Sequence, residues 1–295
     1  MVRRLVEIGA RVAVVDDFSY APRSNVPKEV ELVTADACDL PRIAGRKAFR
    51  DIDFLIHLAS PSSVILFDRS PQRCFTATVS SLIGVFEFAK SNGVKKVVFP
   101  SSGSVYGDTP PPQSEADTPR PGNLYAVAKV ACEGIADMNA DKVPSVGLRI
   151  FAGFGPGEEH KHEYASPVTI FLQSLVRRQA PLVFGDGTQT RDFVYVDDVV
   201  EAILGGFGIR HRGVINVGSG VSCSFNEAIK TLNEALGQSV APAYVSRPAR
   251  YLEHTRAETS LMRSVLGIEP TGFEAAVTKY LDYMKAPEEY WTSRK

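Results

Sequence analysis

Sulfur is scarce in this chain, and neither sign of charge dominates. Four cysteines (Cys38, Cys74, Cys132 and Cys223) are scattered over 295 residues, with no Cys-x-x-Cys pair. That spacing argues against both a disulfide framework and a cysteine-based zinc site. The expected setting is the reducing cytoplasm. Basic and acidic residues number 33 and 34, which leaves no electrostatic case for nucleic acid or an anionic membrane as a partner. No apolar run is long enough to span a bilayer. The opening Met1-Val2-Arg3-Arg4-Leu5-Val6-Glu7-Ile8-Gly9 does not read as a signal peptide, because its apolar core is too short and carries a Glu. His160 and His162 flank Lys161 with no Cys or third His close by, so a solvated loop and no metal is expected. Internal repeats and low-complexity tracts are absent.

What is present is enough apolar material, 44% of residues, for one large α/β unit or two coupled lobes. The first half alternates apolar strands with helices. Strands are expected at 11–15, 30–34, 52–58, 95–99 and 145–150, and helices at 2–8, 72–91 and 123–141. Gly9 and Asn92-Gly93 read as helix stops. Near-continuous apolar strands separated by helices predict a parallel sheet covered on both faces. The fold class is therefore α/β, a Rossmann-type doubly wound parallel sheet. Residues 1–150 form its main domain. Residues 151–295 form a smaller C-terminal α/β lobe, some segments of which return to the sheet. In that second half a helix is expected near 168–178, a strand turning into a helix over 194–207, strands at 214–217 and 243–245, and helices near 257–266 and 272–285. Ser224 with Glu227 three residues on reads as a capping box.

In such sheets ligands sit at the carboxyl ends of the strands. Asp16, Asp36, His57, Ser102 and Phe151 all fall at or just past expected strand ends. The segment with most chemistry is Tyr125-Ala126-Val127-Ala128-Lys129, preceded by Pro100-Ser101-Ser102-Gly103-Ser104-Val105-Tyr106-Gly107. A Tyr and a Lys four residues apart share one face of a helix. A free phenol has a pKa of about 10, and a neighbouring ammonium favours its phenolate. Such a tyrosine can take a proton from a hydroxyl while hydride leaves the same carbon. A serine from another segment would hold the reacting oxygen.

These segments, with Val14-Val15-Asp16-Asp17-Phe18-Ser19, Ala35-Asp36-Ala37-Cys38-Asp39, Phe54-Leu55-Ile56-His57-Leu58-Ala59, Leu148-Arg149-Ile150-Phe151, residues 185–196 and Ile215-Asn216-Val217-Gly218-Ser219-Gly220, run in one order over almost the whole chain. In that order the chain resembles the extended short-chain dehydrogenase/reductase family, the NAD-dependent nucleotide-sugar epimerases and dehydratases. The resemblance implies NAD as cofactor. Asp16, with Asp17 beside it, would meet the adenosine ribose; an acid there favours NAD over NADP. Asp36 and Ala37 would hold the adenine. Leu58, Ala59 and Ser101 would lie along the cofactor, and His57 is given no chemistry. Ser102, Tyr125 and Lys129 would be the catalytic set, with Lys129 also bonding the nicotinamide ribose. Ser102 and Ser104 would face the sugar, and Tyr106 would be structural. Arg191 would contact the nucleotide diphosphate, since guanidinium suits phosphate oxygens. The alternative for Arg191 is a surface salt bridge to Asp192 or Asp197. Arg247 and Arg250 lie where the family keeps another phosphate-binding Arg.

Several positions depart from the family pattern. The family opens with a strand and a Gly-rich turn that reaches the pyrophosphate. Here Met1 aligns inside the helix after that turn. That strand would lie between those at 11–15 and 52–58. The expectation is either that the natural polypeptide is longer, which we prefer, or that the two neighbours close up. As written, the chain is expected to bind NAD poorly. Thr78 and Ala152 stand where many members have Asn. Gly103 and Ser104 stand where 4,6-dehydratases carry Asp-Glu, which argues against expulsion of water. The implied activity is epimerisation of a nucleotide sugar, foremost at C4 of a UDP-hexose, through a transient keto sugar. Alternatives are a reductase, dehydrogenase or 4,6-dehydratase of the same family, or a catalytically silent dinucleotide-sensing or scaffold protein. A homodimer is implied, through helices at 74–90 and 124–140.

Overall fold

The computed structural model describes residues 1–247, 252–286 and 290. Two sets of segments pack as compact units. The first comprises Met1–Val105, Asn123–Arg149 and Val200–Ile215; the second comprises Tyr106–Gly122, Ile150–Val199 and Asn216–Lys295. Among the described residues no helix is long and apolar enough to cross a membrane.

Through the first unit run α1 (Val2–Glu7), β1 (Ala13–Asp16), β2 (Glu31–Thr34), α2 (Leu40–Ile43), β3 (Phe54–Ile56), α3 (Val64–Arg69), α4 (Pro71–Ser91), β4 (Lys96–Ser102), α5 (Leu124–Asn139) and β5 (Ser145–Ile150). There follow β6 (Ala152–Phe154), α6 (Pro167–Val176), β7 (Leu182–Phe184), β8 (Thr190–Arg191), β9 (Phe193–Tyr195), α7 (Val196–Gly208) and β10 (Gly213–Val217). The chain continues with β11 (Cys223–Ser224), α8 (Phe225–Ala235), β12 (Ala243–Val245), α9 (Ser260–Leu266) and α10 (Phe273–Met284).

The main sheet has strand order β10-β5-β4-β3, and β3 runs parallel to β4 with Leu55 opposite Val97. β4 is buried on both faces, which is why its sequence is apolar without alternation. Gly147, in the middle of β5, permits a close approach. A Cβ there would stand 2.8 Å from the Phe99 ring, so any larger residue would push against the strand beside it. α4 begins at Pro71, whose missing N–H is not needed in a first helical turn, and the chain turns away at Gly93 with φ +65. The core beneath α4 and α5 gathers Leu82, Val85, Phe86, Phe88, Val97, Phe99 and Cys132.

β1 and β2 pair in parallel as a sheet of their own, Val14 opposite Leu32. β1 and β3 therefore belong to separate sheets and do not close up on each other. Both strands nevertheless supply side chains, Val15 and Leu55, to the same apolar cluster.

The second unit has its own core of Phe154, Leu172, Leu175, Phe193, Phe225, Ile229, Leu232, Val277 and Tyr280. Its small sheets pair β6 with β9, β7 with β12 and β8 with β11. The expected capping box opens α8: Ser224 Oγ accepts from Glu227 N, and the Glu227 carboxylate accepts from Ser224 N at 2.7 Å. All four cysteines are free thiols. Burial pushes Cys38 and Cys223 up to about 12 and Cys132 up to about 11.

Candidate active site

The C-terminal end of β4 and the first turns of α5 carry the candidate catalytic residues. α5 starts where Asn123 accepts a hydrogen bond from Ala126 N at 2.9 Å, a side-chain cap that fixes the first turn. Tyr125 lies in that turn, half-buried, its ring edge-on to Phe67 at 5.4 Å between centroids. Lys129, one turn on, is only 3% exposed. Its Nζ donates to Ser60 Oγ at 3.1 Å and to the Pro100 carbonyl at 3.2 Å. It also stands 5.6 Å from the centre of the Tyr125 ring. The lysine thus links the tyrosine's helix to the strand whose tip carries Ser102. Ser102 is buried, with its Oγ 2.8 Å from Ser104 Oγ and accepting from Ser104 N at 3.2 Å. Two hydroxyls therefore lie together just past the strand end.

Ser101, between them and Pro100, donates its hydroxyl to Glu133 on α5. Glu133 also receives two bonds from Arg149 of β5, at 2.9 and 2.8 Å. The ion pair is nearly enclosed, its side chains 4% and 12% exposed. Glu133 was not singled out in the sequence, although an acid four residues past Lys129 on the same helical face was the available signal.

The proposed cofactor positions lie along the other strand ends of the same unit. Asp16 ends β1 and accepts from Phe18 N at 2.7 Å, while Asp17 accepts from Ser19 N and Oγ. Asp36 accepts from Cys38 N at 2.8 Å and opens the short turn that contains Ala37. Leu58 and Ala59 follow β3 and are exposed. Thr78 is 1% exposed, and its hydroxyl has no hydrogen-bond partner. Carboxylates at or just past the ends of β1 and β2, an ammonium on α5 and a buried unsatisfied hydroxyl on α4 are a polar set that suits a dinucleotide.

His57 follows β3 and is 5% exposed, with Nε2 3.3 Å from Ser81 Oγ. Burial, and secondarily the Lys129 charge, push it down to about 3 from an ordinary 6.5. Between those two values the unfolded chain binds a proton that the folded chain does not, so stability is lost as pH falls through that window. We expect His57 to account for about 2 kcal/mol of the loss between about pH 7 and about pH 5. Urea midpoints of wild type and His57→Asn at the two pH values check this. An equal acid loss in both proteins would show that another group is responsible.

In the second unit Arg191 donates to the carbonyls of Thr190 and Glu253, and its guanidinium lies 5.4 Å from the centre of the Phe225 ring. Arg247 is held between Asp186 at 3.0 Å and Glu253 at 2.6 Å. Arg250 lies outside the described residues. Asp192, beside Arg191, is wholly buried. It accepts from Ser219 N and Oγ, Gly220 N and Ala257 N at 2.6 to 2.9 Å. Tyr106 donates to Asn216 Oδ1 at 2.6 Å in the interior, a structural placement. Among the described residues no cluster of His, Cys, Asp and Glu could hold a metal ion.

A half-buried phenol with an ammonium beside its ring, and a buried serine hydroxyl at the tip of the strand that the ammonium bonds, are groups suited to proton transfer. The UDP-glucose 4-epimerase of Mycolicibacterium smegmatis is 32% identical over 286 residues, 92% of this chain and 89% of that protein. The UDP-glucose 4-epimerase of Thermotoga maritima, solved with UDP-glucose, superposes with a TM-score of 0.90 at 28% identity, covering 96% of this chain and 94% of that one. The Thermus thermophilus UDP-glucose 4-epimerase, solved with NAD, gives a TM-score of 0.85 at 26% identity over 96% and 93% of the two chains. The sequence pattern of the NAD dependent epimerase/dehydratase family matches residues 1–218, and the chain belongs to that family.

Proposed function

We propose that this protein is an NAD-dependent nucleotide-sugar 4-epimerase acting on a UDP-hexose. The observation that carries the reading is Lys129, which bonds Pro100 at the base of the Ser102 tip while standing beside the Tyr125 ring. Family membership and the UDP-sugar epimerases among the relatives support it. When bound, NAD supplies a reversible hydride acceptor and ends the cycle unchanged. Asp16 and Asp17 would hold its adenosine ribose, Asp36 and Ala37 its adenine, and Lys129 its nicotinamide ribose, with Leu58 and Ala59 alongside.

Ser102 holds the reacting sugar oxygen, and Ser104 shares that bond. Tyr125 takes the proton of the C4 hydroxyl and returns it after the keto sugar has turned over. Lys129 brings its ammonium beside the Tyr125 ring. Arg191 is the first choice for the diphosphate; Arg247, already between two carboxylates, is the second. Gly103 and Ser104 offer no carboxyl acid to expel water, so the keto sugar is reduced again rather than dehydrated.

A homodimer through α4 and α5 fits the exposure of Ile83, Val127 and Met138 on those helices. Four free thiols fit the cytoplasm. Following the absorbance of reduced nicotinamide during turnover tests the reaction class. An epimerase leaves it flat while the sugars interconvert. A rise or fall in proportion to product would instead make the protein a dehydrogenase or reductase.

A further inference from the structure

We propose that Glu133 is a positioning residue that sets the Tyr125 helix against the Ser102 strand tip; the inference rests on the proposed roles of Tyr125 and Lys129. Residues 125, 129 and 133 occupy successive turns of one face of α5. Two of the three bond consecutive residues of β4: Lys129 takes the Pro100 carbonyl, and Glu133 takes the Ser101 hydroxyl. Ser102 is the next residue. A helix tied at two neighbouring points of a strand can neither slide nor roll along it without breaking a bond. The second tie is itself anchored, because Arg149 of β5 grips both carboxylate oxygens of Glu133 in a fork that leaves little freedom of rotation. One carboxylate thus joins α5, β4 and β5 at the residue before Ser102.

A buried ion pair is not in itself a large source of stability, since desolvation offsets most of the attraction. What this one supplies is geometry. Proton transfer depends on the phenol, the hydroxyl and the substrate oxygen keeping their spacing, and a displacement of about an ångström at such a site costs up to about a hundredfold in rate. The Ser101 hydroxyl is the link that can be cut with least harm to the fold, because Glu133 keeps its Arg149 partner.

The test compares wild type, Ser101→Ala, Ser101→Thr, Glu133→Asp and the Ser101→Ala/Glu133→Asp double variant by steady-state kinetics with a UDP-hexose. Hydrogen exchange at the amides of residues 101–104 and 124–129 is measured alongside. Ser101→Ala and Glu133→Asp should each lower kcat about tenfold, with KM within about twofold of wild type. They should also speed exchange in both segments. The double variant should be no worse than either single one, because both cut the same link. Ser101→Thr, which keeps the hydroxyl, should restore kcat. Unchanged kcat and exchange in Ser101→Ala would overturn the proposal. So would additive losses, which would mean that Ser101 acts directly on a ligand. If Glu133→Asp does not fold, Ser101→Ala and Ser101→Thr decide. If wild type interconverts no UDP-hexose, the functional reading fails separately, and the exchange comparison still decides whether Glu133 sets the two segments.

Discussion

Tyr125→Phe should lower kcat about a thousandfold, within the range that a positioned acid/base group contributes, and leave KM and thermal stability near wild type. The substitution removes one oxygen. The ring remains edge-on to Phe67 and beside Lys129, so the packing of α5 on α3 does not change. What is lost is the atom proposed to accept the sugar's proton, and neither Ser102 nor Lys129 can replace it. The Ser102 hydroxyl is a far weaker base, and Lys129 already bonds Ser60 and Pro100. Steady-state interconversion of a UDP-hexose is the measurement. Undiminished turnover would remove Tyr125 from the chemistry.

Asp192→Ala should have the largest effect on stability. The carboxylate accepts from three backbone N–H groups and one hydroxyl, drawn from Ser219, Gly220 and Ala257, in a place with no solvent exposure. Burial raises its carboxyl above the ordinary range while those donors work against the rise. Alanine leaves the three N–H groups with no acceptor, at about 1–3 kcal/mol each. Partial relaxation and water entry reduce the sum, and a loss of about 4 kcal/mol is a reasonable expectation, a large part of the 5–15 kcal/mol typical of a folded domain. Asp192→Asn, which keeps one carbonyl oxygen, should lose less. Urea unfolding of the two variants would show the order; equal, small losses would mean that the loops carrying Ser219 and Ala257 hold together without the carboxylate.

The long elements were legible because their side chains repeat. Helices expected at 72–91 and 123–141 are α4 and α5, and the strand expected at 145–150 is β5. The strand expected at 95–99 runs on as β4 to Ser102, since Ser101 and Ser102 are buried at its tip and bonded inward, which their polar character hides. β6, β7, β8 and β11, each of two or three residues, were not foreseen, although the equally short β12 was. α3 was also missed, its six residues lying just before Pro71. The tyrosine and lysine could be read from local spacing alone. The partners of Glu133 could not, because they come from 32 and 16 positions away and only the fold brings them together. The same holds for Asp192, whose donors lie up to 65 positions downstream.

The free thiols have a chemical consequence. With Cys38, Cys132 and Cys223 pushed to about 11 or 12, about one molecule in ten thousand or fewer carries the anion of any of them near neutral pH. Alkylating agents and peroxides attack that anion, so these sulfurs offer them almost no target.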